Sequence, residues 1–202
     1  MMNRRTLFDL TQGIYYLFLG LWFGALVMLA IGAAITFRTV RTYQVTLGLE
    51  PFNHEALADQ ASNILAGAIT GNVLKALGML QVFCAVVVLG CLVAQATIFS
   101  RYVAQNWMNW LRTLCVLIPS IIIVIDIAVI SPRIWELRKN MYNPELSTEA
   151  RAVHRDHFQF YHKLSERTVG TGALLLAVGL VLSPMALNRK PFEERAQERD
   201  FT

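Results

Sequence analysis

Three of the four histidines in this 202-residue chain lie within nine positions, in the segment HRDHFQFYHKLSERTVG that runs from His154 to Gly170. Neutral imidazole is a common ligand of transition metals, and it also titrates near neutral pH. Such a cluster could hold a metal ion or transfer a proton. The alternative is an amphipathic helix whose histidines serve its packing.

Helical geometry limits what these imidazoles can do together. At about 100° per residue, His157 shares an apolar stripe with Val153, Phe160 and Leu164, whereas His162 lies about 140° away. One uninterrupted helix therefore cannot bring all three histidines of the segment to one metal ion. The stripe predicts that His157 lies on the buried face of the helix.

A metal site would need ligands from a second segment. His154 and His157 are three residues apart and could share an ion, but two ligands are too few. His54, in the other long polar segment, is the candidate for a third ligand. We favour the interpretation with no metal and no cofactor, in which His157 is hydrogen-bonded inside the protein.

One acidic residue, Asp126, interrupts the apolar run Thr113–Pro132. An ionisable residue inside a membrane segment is a functional-site candidate by default. Its role is either a structural latch, through an ion pair or hydrogen bonds, or a step in moving a proton or cation. Its candidate partners are polar residues near the ends of neighbouring runs: Asn72, Lys75, Arg38, Arg133 and Arg167.

The composition points to lipid as the solvent of the chain. Only 16% of the residues are charged and 55% are hydrophobic, whereas about 25% of residues are charged in soluble domains. Four runs of 20 to 28 residues carry at most one charge each: Leu10–Phe37, Ala76–Ser100, Thr113–Pro132 and Thr168–Asn188. About 20 apolar residues cross the hydrocarbon core as a helix, because all backbone polar groups must be satisfied there.

We therefore predict an all-α fold, an integral membrane four-helix bundle that forms a single membrane domain over residues 1–202. The predicted spans are about 13–37, 76–99, 113–132 and 168–187. Two amphipathic interfacial helices, about 54–72 and 148–167, precede the second and fourth spans and continue into them, with Asn53 and Ser147 as N-caps. A tail, 189–202, follows the last span.

Four crossings place both long polar segments, 38–75 and 133–167, on one side of the membrane. The short segments on the other side carry eight basic residues in 35 positions, against ten in 73 on the long side. Because basic residues near span ends favour the cytoplasm, we place both termini there, with the protein in a bacterial inner membrane. The polar residues of the long side form a candidate rim site: His54, His154, His157, His162, Arg38 and Arg133.

Small residues four positions apart let helix backbones approach closely in lipid. The pairs with this spacing include Gly20/Gly24, Gly67/Gly71, Ala173/Ala177 and Gly179/Ser183. We favour packing inside one bundle, with self-association as the alternative.

No catalytic constellation is recognisable in the sequence. The three cysteines fit apolar packing better than a disulfide or a metal site: Cys84, Cys91 and Cys115. No histidine lies inside a membrane run, which argues against a haem held between spans. We predict that the protein is not an enzyme and has no nucleic-acid partner.

Four blocks, in order and over about residues 14–184, resemble a known family: GLWFGALVMLAIGAAITFRTV, LAGAITGNVLKALGML, ISPRIWELR and FQFYHKLSERTVG. They are similar to a bacterial four-span membrane family of unknown function that includes the eukaryotic transmembrane protein 205. Residues that match its patterns around the last two spans are Phe158, His162, Ser165, Pro132, Arg133 and Arg138. The resemblance implies a four-helix membrane fold and no settled activity. A more distant similarity to copper-handling membrane domains keeps a metal function open.

Two functions follow from these observations. The first is a non-catalytic membrane protein, an accessory or interaction subunit whose partners are the lipid bilayer and other membrane subunits or itself. The second is a small transporter or a cation- or metal-handling protein that uses Asp126 and the histidines of the long segments.

Overall fold

The computed structural model describes residues 3–43, 61–103, 107–143 and 145–187, most of them helical. Within these residues five helices follow one another: α1 (Arg4–Thr42), α2 (Ala61–Thr97), α3 (Trp107–Ile125), α4 (Ser131–Met141) and α5 (Thr148–Leu182). A π-helical turn, Asp126–Ile130, joins α3 to α4. Two 3₁₀ turns, Ser100–Tyr102 and Ser183–Ala186, follow α2 and α5.

Four helical stretches are long and apolar enough to cross a membrane: Arg4–Val40, Ile64–Thr97, Trp107–Met141 and Thr148–Ala186. In the most apolar window of each stretch, between 22% and 33% of the residues are buried inside the protein. The remaining apolar side chains need a surrounding other than water. By length and composition the chain is therefore a multi-pass membrane protein, which confirms the predicted all-α, four-helix class at that level.

The helices extend beyond the predicted spans. α5 runs without interruption from the predicted amphipathic segment 148–167 into the last predicted span. Its N-cap is also the predicted one, because the Ser147 hydroxyl accepts a hydrogen bond of 3.2 Å from the Ala150 backbone N–H. α2 likewise begins at Ala61, ahead of the predicted span 76–99. The predictions for Asn53 and the tail 189–202 lie outside the described residues.

Pro132 accounts for the π-helical turn between α3 and α4. Proline has no N–H to donate to the Ala128 carbonyl four residues earlier, and its ring crowds that carbonyl. The Ser131 N–H donates instead to the carbonyl of Asp126, five residues earlier. The turn that contains Asp126 is widened as a result, and regular α-helix resumes at Ser131.

The chain divides into two compact units. The first unit comprises Met1–Gly24, Gln81–Ile121 and Thr171–Thr202. It contains an aromatic cluster in which the Phe8 ring stacks on Tyr102 at 4.9 Å between centroids and meets Phe99 edge-on at 5.7 Å. Leu187 packs against this cluster.

The second unit comprises Ala25–Leu80 and Ile122–Gly170. Its buried apolar residues come from four helical elements and the π-helical turn, and they include Val40, Ile64, Ile130 and Leu137. Asp126 and the described residues of the predicted rim site all belong to this second unit.

Candidate functional site

Asp126 is half-buried at the first position of the π-helical turn, and its carboxylate accepts two hydrogen bonds from hydroxyl groups. The Ser131 hydroxyl donates to Oδ2 at 3.0 Å, and the Ser165 hydroxyl of α5 donates to Oδ1 at 3.1 Å. Ser165 itself is buried, with 7% of its surface exposed. The acid therefore links the π-helical turn to α5 through neutral donors.

The basic residues expected around Asp126 do not pair with it in the described part of the chain. Arg133 instead forms an exposed ion pair with Glu136, with 2.6 Å between Nη1 and Oε2. The side chains of Arg38, Lys75 and Arg167 are exposed. Of the contacts predicted for Asp126, the described residues show hydrogen bonds to serine and no ion pair.

The three histidines of α5 are not gathered into one site. His162 is exposed, lies 3.2 Å from Glu166 Oε1 and stacks on the Phe158 ring. His154 is half-buried, and its Nδ1 has no hydrogen-bond partner. Among the described residues no group of three or more His, Cys, Asp or Glu could hold a metal ion. His54, the proposed third ligand, lies outside these residues.

The predicted orientation of the segment is wrong for His157. Its side chain is exposed, as are Val153 and Phe160 of the same stripe, at 55% and 64%. The protein-facing side of α5 is a different and more polar one. It contains His154, Phe158, Tyr161, Ser165 and Thr168, each half-buried or buried.

The side chain of Arg138 lies against Gly67 and Gly71, the glycine pair that was predicted to pack against another helix backbone. Its guanidinium donates to the backbone carbonyls of Ile64 and Gly67, at 2.7 and 2.8 Å. A Cβ on Gly67 would lie 3.1 Å from Nη2 of Arg138, and a Cβ on Gly71 would lie 3.4 Å from the Trp135 ring. The two glycines thus make room for the side chains of α4.

A cavity of about 670 Å³ lies beside Arg138 in the second unit. Its walls include Asn72 and Trp135, together with Lys139 and Tyr142. Burial raises the pKa of Tyr142, so its hydroxyl stays protonated at neutral pH despite the nearby Arg138 and Arg155. The wall therefore presents aromatic rings, two cations and the carboxylate of Glu136.

The first unit contains a buried polar network that the sequence analysis did not identify. At its centre is Arg112, which is 1% exposed and donates to Gln95 Oε1 at 3.0 Å and to Asn109 Oδ1 at 2.8 Å. Gln95 in turn donates to Gln12 Oε1 at 2.8 Å. The guanidinium also lies 5.4 Å from the centre of the Tyr15 ring.

The network continues to the fourth helical stretch. The Tyr15 and Ser183 hydroxyl oxygens are 3.0 Å apart, and Ser183 also donates to the Gly179 carbonyl at 2.6 Å. Nε and Nη1 of Arg112 have no hydrogen-bond partner, and in the described part of the chain no carboxylate pairs with this guanidinium. Arg112 is thus a buried cation held by amides and an aromatic ring.

Arg112 is one of the eight basic residues assigned to the short segments, because it precedes the apolar run Thr113–Pro132. α3 begins five residues earlier, at Trp107, which places Arg112 inside the helix. The signal that could have found the network is the presence of glutamines in otherwise apolar runs. Gln12 and Gln95 are of this kind, and amides in lipid require hydrogen-bond partners inside the protein.

The predicted small-residue pair of α1 is open in this structure. A Cβ on Gly20 or Gly24 would meet no described residue within 4 Å. Ala173 and Ala177 are half-buried on α5. The described residues therefore do not show the predicted packing of the α1 pair inside the bundle, and self-association stays a prediction.

Comparison with protein-family models, with curated proteins and with solved structures finds no match to this chain.

Proposed function

We propose that this protein is a non-catalytic subunit of a membrane assembly, and that α1 binds a transmembrane helix of a partner subunit. The observation that carries the proposal is the open pair Gly20/Gly24. In helices that pack in lipid, glycines at this spacing are normally covered by a neighbouring backbone. Among the residues that the structure describes, nothing lies within 4 Å of the Cβ position of either glycine.

The surroundings of the pair fit a contact with another apolar helix. By helical geometry Gly13, Gly20 and Gly24 lie within about 40° of one another on α1. The same side carries Leu17 and Leu21, which are 65% and 44% exposed. We call this side, defined by Gly13, Leu17, Gly20, Leu21 and Gly24, the glycine face. Its shape, a shallow groove beside leucines, suits a helix that packs closely.

The polar network of the first unit supports the same proposal. Arg112, Gln95 and Gln12 face inward and are hydrogen-bonded to one another, so the outward glycine face is left apolar. The resemblance of the sequence to the family of transmembrane protein 205 agrees with a four-helix membrane protein without settled activity. We place it in a bacterial inner membrane with both termini in the cytoplasm.

The test is the composition of the complex in mild detergent, measured by native mass spectrometry. We expect a stoichiometric partner with the unchanged protein, and its loss with the double variant Gly20→Leu/Gly24→Leu. Gly170→Leu is the matched control, because Gly170 is also open but its neighbours four residues away are Glu166 and Leu174. A monomer, or a complex of identical copies only, would contradict the accessory-subunit proposal.

A second candidate function is transport or handling of a cation. It is supported by Asp126, an acid inside a membrane stretch at a π-helical turn, a feature frequent at functional sites. The comparison of Asp126→Asn with His157→Ala tests it. Intact assembly with altered growth under metal stress favours transport, whereas loss of assembly in both variants favours a structural role.

A further inference from the structure

The charge of Asp126 has no side-chain counter-charge in the described part of the chain. Its two partners, Ser131 and Ser165, are neutral. Hydroxyl donors satisfy the lone pairs of a carboxylate but do not cancel its charge, which is unfavourable inside a membrane. A small cation would balance the charge of this acid.

The backbone around Asp126 supplies further oxygen ligands. In a regular α-helix the N–H of residue 131 would donate to the Ile127 carbonyl, but here it donates to the carbonyl of Asp126. Pro132 has no N–H for the Ala128 carbonyl. Two successive carbonyls of the turn thus lose their α-helical donors. In lipid such carbonyls are tolerated where they line a site or a cavity.

We propose that Asp126, Ser131 and Ser165, with the carbonyls of the π-helical turn, form a binding site for Na⁺. Carboxylate, hydroxyl and carbonyl oxygens are the ligands that hard cations select. A single carboxylate balances one positive charge, so a monovalent ion leaves the site neutral, whereas a divalent ion leaves an excess charge. Interrupted membrane helices bind Na⁺ through freed carbonyls in the same way.

Each hydroxyl group is close enough to share an ion with the carboxylate oxygen that it contacts. The Ser131 oxygen lies 3.0 Å from Oδ2 and the Ser165 oxygen lies 3.1 Å from Oδ1. Rotation of a hydroxyl turns its proton away and presents a lone pair to the ion. The bound ion then replaces a hydrogen bond to the acid by coordination to the hydroxyl and carboxylate oxygens.

The proposal depends on neither of the two functions above, since a bound ion can stabilise a subunit or be carried. The test is the thermal midpoint of the purified full chain in detergent, with Na⁺ replaced stepwise by choline at constant ionic strength. Binding to the folded state raises the midpoint with ligand concentration. We expect a saturable rise with Na⁺ at pH 7.5 for the unchanged protein.

Variants of the proposed ligands test whether the Na⁺-dependent rise of the thermal midpoint arises at the Asp126 site. We expect no Na⁺-dependent rise with Asp126→Asn, and at least a tenfold weaker apparent affinity with Ser165→Ala. Pro132→Ala restores the missing backbone donor, so it should also weaken Na⁺ binding while it leaves all three side chains in place. Glu136→Gln, an exposed acid on the neighbouring α4, is the control and should retain the full response.

Three outcomes would overturn the proposal. One is an equal response of Asp126→Asn and the unchanged protein. Another is an equal effect of choline and Na⁺. The third is a midpoint that depends on pH through Asp126 but not on Na⁺, which would make the proton the occupant. If Asp126→Asn fails to fold, the affinities of Ser165→Ala and Pro132→Ala decide, and unchanged values in both reject the site.

Discussion

Arg112 is a cation buried among neutral groups, and two of its nitrogens have no partner. Removal of a buried charge from water is unfavourable unless it is paired and hydrogen-bonded. Gln95 and Asn109 supply hydrogen bonds, and Tyr15 supplies the face of its ring, but none of them supplies a negative charge. The guanidinium is therefore under-compensated, and a carboxylate placed beside it should improve stability.

The substitution Gln95→Glu tests whether a carboxylate beside Arg112 stabilises the protein. We expect the free energy of unfolding to rise by about 1–2 kcal/mol, because the hydrogen bond from the guanidinium to a neutral amide becomes one between opposite charges. The Gln12 side chain can rotate its amide and donate through Nε2, which has no partner now. The measurement is chemical or thermal unfolding in detergent.

Gln81→Glu is the control for this substitution. Gln81 lies on the same helix and is 6% exposed, but the described hydrogen bonds of Arg112 go to Gln95 and Asn109. A carboxylate at position 81 is buried without a cation and should destabilise the protein by roughly 2 kcal/mol or more. Equal destabilisation by both substitutions would contradict the account of Arg112.

At the scale of the helix, the glycines differ in what surrounds them. Gly179 of α5 faces Cys115 of α3, and a Cβ added there would lie 3.2 Å from the Cβ of Cys115. Around Gly90 of α2 an added Cβ would meet nothing within 4 Å. Both glycines lie in the first unit. Alanine substitutions at the two positions therefore compare a crowded with an open site in the same unit, which separates the effect of packing from that of helix propensity.

We expect Gly179→Ala to lower the stability by about 1 kcal/mol, because overpacking outweighs the gain in helix propensity. Gly90→Ala should raise it by roughly 0.5–1 kcal/mol, since only the propensity changes. Unfolding of the two variants in the same detergent measures both. The loss of stability in the double variant Gly179→Ala/Cys115→Gly should be smaller than the sum of the losses in the two single variants, and additive losses would place the cause elsewhere.

The orientation of α5 about its axis was predicted wrongly from the sequence pattern of that helix alone. The stripe of Val153, His157 and Phe160 has the spacing of a buried face, yet its side chains are exposed. In water such a stripe turns inward, because exposure of apolar surface is unfavourable. Beside a membrane it can face lipid, and polar residues that need partners, such as Ser165, then take the inner side.

At the scale of the whole molecule, the sidedness of the polar segments follows from the number of crossings. Arg38 and Arg133 stand after the first and third helical runs, so four crossings place them on the same side of the membrane. We expect Arg38→Cys and Arg133→Cys both to react with a membrane-impermeant maleimide in intact cells. Thr6→Cys, near the N-terminus, should react only after the cells are broken.

The three natural cysteines are buried and free, so their background should be low, and a variant in which they are replaced by alanine controls for it. Reaction of Arg38→Cys and Arg133→Cys on different sides would reject four crossings. Reaction of both only in broken cells would keep the four crossings and invert the proposed orientation.

The helical, membrane-spanning class and much of the local structure follow from the sequence. Apolar runs of 20 or more residues with at most one charge can cross a bilayer as helices, all four such stretches are helical, and Ser147 caps α5 as its residue type and position predict. The pairing of Asp126 with Ser165 and of Arg112 with Gln95 was decided only by the tertiary structure. These partners are 39 and 17 residues apart, and lipid removes the cue that would join them, because an apolar side chain is equally stable facing the bilayer or a neighbouring helix.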